Sequence, residues 1–127
     1  YAAEDAPIFS ETTSQQEVLQ YLRKTGWNEA YAVDSETQKF IGFLRAVDLE
    51  AGSETPIAGK LQISDLSFDE TTSVRQAMEK LSSFVGDAIP IIKSSDGSLV
   101  GVVTEGAIIQ SYLNLAADLR REENAGL

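Results

Sequence analysis

The tetrapeptide Glu-Thr-Thr-Ser stands at residues 11–14 and again at residues 70–73 of this chain of 127 residues. The two copies lie 59 positions apart (70 − 11 = 59). The same offset aligns further identities and apolar positions: Leu22 with Leu81, Ser35 with Ser94, Gly42 with Gly101, Val33 with Ile92 and Phe40 with Leu99. A chance match of four common residues would not bring the flanking hydrophobic pattern with it, so the sequence predicts two copies of one unit.

Each copy shows the same succession of predicted elements: a helix after the tetrapeptide, two short strands joined by a polar turn, and a closing helix. The strands are predicted at 30–34, 40–44, 88–92 and 99–103, the closing helices from about residues 45 and 104, and short extended lead-ins at 7–9 and 61–63. The predicted fold class is therefore α/β (α+β), with two pseudo-symmetric repeats of helix–strand–strand–helix type whose small sheets pack on helices. Because each half has only about 60 residues, the two halves are expected to pack on each other.

Glycine and proline residues between the two copies predict the domain organisation of the chain. Gly52, Pro56 and Gly59 interrupt the apolar pattern between the copies. We therefore place the first repeat at 8–51, a linker at 52–60, the second repeat at 61–116, and a helix end and tail at 117–127. The second closing helix carries a broad apolar face, with Ile108, Tyr112, Leu115 and Leu119 on one stripe and Ile109, Leu113 and Ala116 beside it. Such a face needs a partner, in the other repeat or in another chain.

The repeated tetrapeptide has a local physical interpretation. Ser14 with Glu17, and Ser73 with Gln76, fit the capping box, in which a Ser/Thr hydroxyl and a Glu/Gln side chain satisfy the first free amides of a helix reciprocally. Loss of such a cap typically costs about 1 kcal/mol. The alternative is that Thr13 and Thr72 line a ligand cleft.

The composition excludes several classes of function. The chain contains neither cysteine nor histidine, which removes disulfides, thiolate nucleophiles, Ser–His catalysis and the usual zinc ligands. Ten basic residues against twenty acidic ones give a formal charge of −10, which disfavours nucleic acid and anionic membranes as partners. The acidic clusters lack the spacing of a metal site, and no apolar run is long enough to span a membrane. We expect no enzyme, no metal, no required cofactor and no direct membrane insertion. The first residue is Tyr, so a fragment of a longer protein is expected.

The residues "AIPII" (88–92) followed by "GSLVGVVTEGAI" (97–108) resemble the CBS-domain family, and the two-copy arrangement resembles a tandem CBS pair, or Bateman module. The resemblance covers roughly residues 9–114. It implies a non-catalytic sensor whose repeats pack through their sheets and which forms dimers. It also implies that an adenine nucleotide (ATP, ADP or AMP) binds between the repeats as a regulatory ligand.

The resemblance also implies site residues, because the family carries a Thr/Ser that contacts phosphate and, three positions on, an Asp that holds ribose hydroxyls. The first copy matches at Asp48 but has Arg45 in place of the Thr/Ser, whereas the second matches at Thr104 but has Ala107 in place of the Asp. A guanidinium at Arg45 could bind phosphate instead, or the side chain could be solvated. Tyr31 lies where the family has the strand residue nearest the adenine, although a half-buried strand tyrosine is the simpler interpretation.

The C-terminal stretch "IIQSYLNLAADLRREENAGL" (108–127) resembles the cytoplasmic CBS region of bacterial CLC-type chloride channels and transporters. This implies a cytoplasmic regulatory module of an inner-membrane protein, with the transmembrane transport domain of the same chain as its partner and a homodimer as its assembly. Two alternatives stay open. One is the CBS tail of a glycine-betaine-type ABC-transporter ATPase, and the other is a dimerisation scaffold whose clefts bind no ligand.

Overall fold

A computed structural model of the chain describes residues 6–63, 66–81 and 88–125, with side chains as far as residue 117. The strands are β1 (Ile8–Ser10), β2 (Glu29–Val33), β3 (Phe40–Arg45), β4 (Phe68–Asp69), β5 (Ala88–Ile92) and β6 (Leu99–Thr104). The helices are α1 (Gln15–Thr25), α2 (Val74–Lys80) and α3 (Glu105–Ala125), and short 3-10 turns occur at Ala46–Asp48 and Ile57–Lys60.

The strands form two sheets, β1-β2-β3 and β4-β5-β6, which have the same topology. In each sheet the first strand runs parallel to the second, and the second pairs antiparallel with the third. The register also repeats at the 59-residue offset, since Ala30 faces Leu44 while Ile89 faces Val103. Both sheets carry their irregularity at the equivalent point, between residues 32 and 33 and between 91 and 92. The predicted fold class and the internal repeat are confirmed.

Two predicted elements are wrong. The second lead-in strand is not at 61–63 but at Phe68–Asp69, because Gln62 instead forms an isolated antiparallel bridge with Phe43. The first closing helix is reduced to the 3-10 turn at Ala46–Asp48. Gly52 (φ 78°) takes the left-handed conformation that glycine adopts without steric cost. The chain that follows Gly52 lies against the start of α1.

Both tetrapeptides end in a serine that caps a helix, but the full capping box predicted for both copies forms only in the second. In the second copy the box is complete, since Ser73 Oγ accepts from Gln76 N at 3.1 Å and Gln76 Oε1 accepts from Ser73 N at 2.9 Å. In the first copy Ser14 Oγ accepts from Glu17 N at 3.2 Å. The amide of Gln15 donates to the carbonyl of Thr55 at 3.0 Å. The linker therefore supplies acceptors at this helix start.

The first residue of each tetrapeptide ties down the turn between the two antiparallel strands. Glu11 accepts from Ser35, through the amide at 2.9 Å and the hydroxyl at 3.1 Å. Glu70 accepts from Ser94 in the same way, through the amide at 3.0 Å and through the hydroxyl. The Ser94 hydroxyl is the main cause of a lowered pKa at Glu70. Sequence reasoning missed this role, although Ser35 and Ser94 align at the repeat offset.

The two halves are joined by a reciprocal pair of backbone hydrogen bonds. Phe40 N donates to Gly97 O at 3.0 Å, and Leu99 N donates to Gln38 O at 3.2 Å. Phe40 and Leu99 are equivalent under the offset, and so are Gln38 and Gly97, so the two bonds are related by a pseudo-two-fold axis. A shared core of Tyr31, Ala88 and Val102 lies between the halves. The expected packing of the halves on each other is confirmed.

The first half also depends on a close backbone approach at Gly42. Phe43 N donates to Gln62 O at 2.9 Å and Gln62 N donates to Phe43 O at 2.7 Å, so β3 carries a further strand-like partner on its free edge. A Cβ atom at Gly42 would lie 2.6 Å from Gln62 O. The atom that such a methyl group would meet belongs to the backbone of Gln62, so no flexible side chain could move away to make room.

We predict that Gly42→Ala lowers the free energy of unfolding by about 2 kcal/mol, because the new methyl group forces these two segments apart. Gly106→Ala is the matched control, since a Cβ there meets no atom within 4 Å and alanine favours the helix. Urea denaturation of the three proteins checks this. Equal stability of Gly42→Ala and the unmodified chain would show that the approach is not tight.

Candidate ligand cleft

An open cleft of about 240 Å³ lies where the two halves meet. From the first half it is lined by Thr25, Gly26 and Trp27, in the turn that follows α1, and from the second half by Thr104, the last residue of β6. A ligand in this cleft would touch both repeats.

The first wall of the cleft is set by the end of α1. Gly26 adopts the left-handed conformation (φ 82°), and its amide donates to Leu22 O at 2.9 Å, which ends the helix. Thr25 Oγ1 donates to Tyr21 O at 2.9 Å. The half-buried Trp27 then packs against both the core of the first half and the shared core. The indole is therefore held at the edge of the cleft by its packing against both cores.

The opposite wall is set by the junction of β6 and α3. Thr104 is half-buried, and its Oγ1 accepts from Ala107 N at 3.1 Å, which caps the start of α3. The hydroxyl can still donate its proton to a ligand, because a hydroxyl is both donor and acceptor. Sequence reasoning identified Thr104 but missed Trp27. The available signal was the chain's single tryptophan directly after a glycine that ends a helix.

Arg45 lies at the position equivalent to Thr104, but it has a different environment. Its Nε lies 3.6 Å from Glu29 Oε2, with side-chain exposures of 49% for Arg45 and 9% for Glu29. The guanidinium carbon is 5.9 Å from the Phe43 ring centroid. Glu29 and Arg45 are register partners, and their equivalents Ala88 and Thr104 are also register partners. The two halves therefore differ at both members of this register pair, charged in the first half and neutral in the second.

The other two predicted site residues lie away from the described lining of this cleft. Asp48 is exposed on the 3-10 turn, and its Oδ2 accepts from Gln62 Nε2 at 3.3 Å. Tyr31 is only 1% exposed, more buried than the sequence suggested, and its hydroxyl donates to Ala88 O at 3.3 Å. The structure thus does not gather Tyr31, Arg45, Asp48 and Thr104 around one cleft. Their ligand-binding roles stay predictions.

Among the side chains described, in residues 6–63, 66–81 and 88–117, no group of three or more carboxylates is placed to hold a metal ion. Among the helices described, none combines the length and the apolar character that crossing a membrane requires.

Comparison with known proteins places this geometry in context. Residues 58–114 match the CBS domain family model. No curated protein matches the chain in sequence. A CBS domain pair/ACT domain protein from Thermotoga maritima superimposes with a TM-score of 0.77 at 19% identity, covering 91% of this chain and 94% of that one. The chain has the fold of a CBS domain pair.

Two other CBS pairs superimpose nearly as well. The pair domain of a putative Mg²⁺ transporter from Shewanella oneidensis has a TM-score of 0.73 at 19% identity, covering 89% of this chain and 69% of that one. The Arabidopsis thaliana protein CBSX2, solved in complex with AMP, has a TM-score of 0.72 at 17% identity, covering 91% and 92%. These identities are low enough that the likeness concerns the fold.

The contribution of the ion pair between Glu29 and Arg45 to stability can be tested by mutation. Arg45→Thr removes the cation beside the largely buried Glu29 carboxylate and should lower the free energy of unfolding by about 1 kcal/mol. The double variant Glu29→Ala/Arg45→Thr copies the residues of the second half, so it removes both charges and should recover most of that loss. Thermal denaturation of the two variants and of Glu29→Ala completes the cycle. Additive losses would show that the pair is not coupled.

Proposed function

We propose that this CBS pair is a non-catalytic regulatory module that binds an adenine nucleotide in the cleft between Trp27 and Thr104. Its occupancy would be transmitted to a membrane transport domain on the cytoplasmic side. The observation that carries the proposal is the composition of the cleft, which offers an indole for the base and a hydroxyl for a polar group. The base would be held by stacking, which is typical of aromatic contacts to nucleobases.

The location of the cleft supports a regulatory role. Trp27 belongs to the first half and Thr104 to the second, so the ligand would favour the relative packing of the halves in which both contacts form. A ligand shifts a conformational equilibrium only through such differential contacts. Thr104 also caps α3, which gives the cleft a direct connection to the long closing helix.

Structural neighbours support the ligand and the host in different ways. The fold is shared with CBSX2 in complex with AMP and with CbpB in complex with c-di-AMP. It is also shared with the pair domain of a putative Mg²⁺ transporter and with the soluble part of a magnesium transporter. A transport protein is therefore the host that we propose. The CLC-type chloride channel rests on the resemblance of the C-terminal stretch alone.

We predict that AMP raises the melting temperature of the chain and quenches the fluorescence of Trp27, the only tryptophan. At 100 times Kd, ligand binding adds about 2.7 kcal/mol to the stability of the folded state. AMP should bind more tightly than ATP, because the described lining of the cleft contains no cation and the chain has a formal charge of −10. Differential scanning fluorimetry with each nucleotide measures the rise in melting temperature and, through the intrinsic tryptophan signal, the quenching.

Thr104→Ser and Thr104→Val provide the matched controls. The serine variant keeps the hydroxyl and should keep the response, whereas the valine variant should lose most of it. Each shift is measured against the melting temperature of the same variant without ligand, because the valine variant also loses the α3 cap. The proposal fails if millimolar AMP leaves the melting temperature of the folded chain unchanged.

A second candidate function, dimerisation without a ligand, is favoured by the surface of α3. Ile109, Tyr112, Leu113 and Leu115 are 36–55% exposed in the single chain. Ile109, Tyr112 and Leu113 follow helical i, i+3, i+4 spacing and form one apolar face. Exposed faces of this kind mark protein interfaces, and a second copy would cover this face in the homodimer that the sequence predicts.

Leu113→Glu should convert such a dimer into a monomer, because a carboxylate at the centre of an apolar interface has no partner. Val47→Glu is the control, since Val47 is 88% exposed on the 3-10 turn of the first half, away from α3. Sedimentation velocity at several concentrations reports the mass. If the unmodified chain is a monomer at high concentration, the proposal of a dimerisation scaffold is wrong.

A further inference from the structure

The second half contains an apolar groove of about 130 Å³ between α2, its sheet and α3. We call it the second-half groove, and its lining includes Phe68, Thr72, Ala77, Ile91, Val103 and Ile108. It lies outside the ligand cleft, since none of the described lining residues is common to the two.

The equivalent position in the first half is filled by the linker. Ile57 is fully buried and packs into the core of the first half with Phe9, Val18, Ala32, Leu44 and Leu49. Shifted by 59 residues, these five positions become Phe68, Ala77, Ile91, Val103 and Ile108, which line the second-half groove. These positions therefore share a core with a buried isoleucine in the first half, whereas their equivalents line a cavity in the second half.

The backbone of the linker is held by equally specific contacts. Ile57 N donates to Thr13 O at 2.9 Å, and Pro56 forms an antiparallel bridge with Ser14. Thr13 and Ser14 correspond to Thr72 and Ser73, which line the second-half groove. The polar rim of the groove thus matches the residues that hold the linker in the first half.

The described part of the second half takes a different course from the first half at the equivalent of the linker. In the first half the chain reverses near Gly52 (φ 78°) and returns over α1. The equivalent of Gly52 is Ser111, which lies within α3, so the chain continues as a helix. In the described part of the second half, no segment takes the place of the linker.

The repeat itself indicates what fills the groove. The segment that covers the first half, Ser53–Ile57, comes just before the second repeat along the chain. The same relation places the covering segment of the second half just before the first repeat, at positions −6 to −2 (53 − 59 and 57 − 59). We propose that the second-half groove binds the stretch of polypeptide that leads into Tyr1, with an aliphatic side chain three positions before Tyr1.

This arrangement makes the packing of the two halves reciprocal, since each half is covered by the segment that precedes the other. Its consequence goes beyond ligand binding. Whatever lies upstream would be attached to the groove wall formed by Val103 and Ile108, and Val103 directly precedes Thr104 of the cleft. The upstream polypeptide and the ligand cleft would then both contact β6, the first through Val103 and the second through Thr104.

The test places a copy of Ser53–Gly59 directly before Tyr1, so that its isoleucine occupies position −2. We expect a rise in melting temperature on the order of 5 °C relative to a graft that carries aspartate at this position, because only the aliphatic side chain fits the groove. Ala77→Leu, which brings three more carbon atoms into the groove, should abolish the difference. Equal melting temperatures of the two grafts, or a difference that survives Ala77→Leu, would overturn the proposal.

A cross-link provides a measurement that does not depend on stability. Partners in an antiparallel bridge have Cα atoms about 4.5–5.5 Å apart, within the range of a disulfide. The chain lacks cysteine, so a cysteine in place of the grafted proline, combined with Ser73→Cys, should form an intramolecular disulfide under mild oxidation. The same graft combined with Ser98→Cys should not. Absence of the Ser73 cross-link in folded protein would also overturn the proposal.

Discussion

Two hydrogen bonds, from Phe40 N to Gly97 O and from Leu99 N to Gln38 O, hold the two halves in a pseudo-symmetric pair. A half of about 60 residues buries too little apolar surface to be comfortably stable alone. Contact between the halves is therefore a condition of folding. It places Tyr31, Ala88 and Val102 in a common core, and the open cleft between the halves is lined by the turn after α1 and by the end of β6.

The two halves differ where function is expected. At one pair of register partners the first half has Glu29 and Arg45, which form an ion pair, and the second half has Ala88 and Thr104. In the first half a salt bridge between Glu29 and Arg45 occupies this end of the strands. In the second half the neutral pair leaves the Thr104 hydroxyl beside an open cleft. Symmetry of the fold is thus combined with different side-chain chemistry at equivalent positions of the two halves.

A second asymmetry concerns the chain after the last strand of each half. In the first half a glycine lets the chain turn back and bury Ile57, whereas in the second half the chain continues as the long helix α3. The helix thereby exposes an apolar face, and no described segment covers the groove beneath it. Both features follow from one difference in backbone course.

The sequence by itself determined the repeat, the two antiparallel strands of each half and the serine caps of α1 and α2. These depend on local patterns: the alternation and spacing of apolar residues, and serine followed three residues later by Glu or Gln. Only the tertiary structure decided that the closing helix of the first half is a 3-10 turn, because the linker's contacts with α1 compete with local helix propensity. It also decided the neighbours of the predicted site residues. Thr104 meets Trp27, Arg45 meets Glu29, and Tyr31 is buried between the halves, because these contacts join residues distant in the sequence.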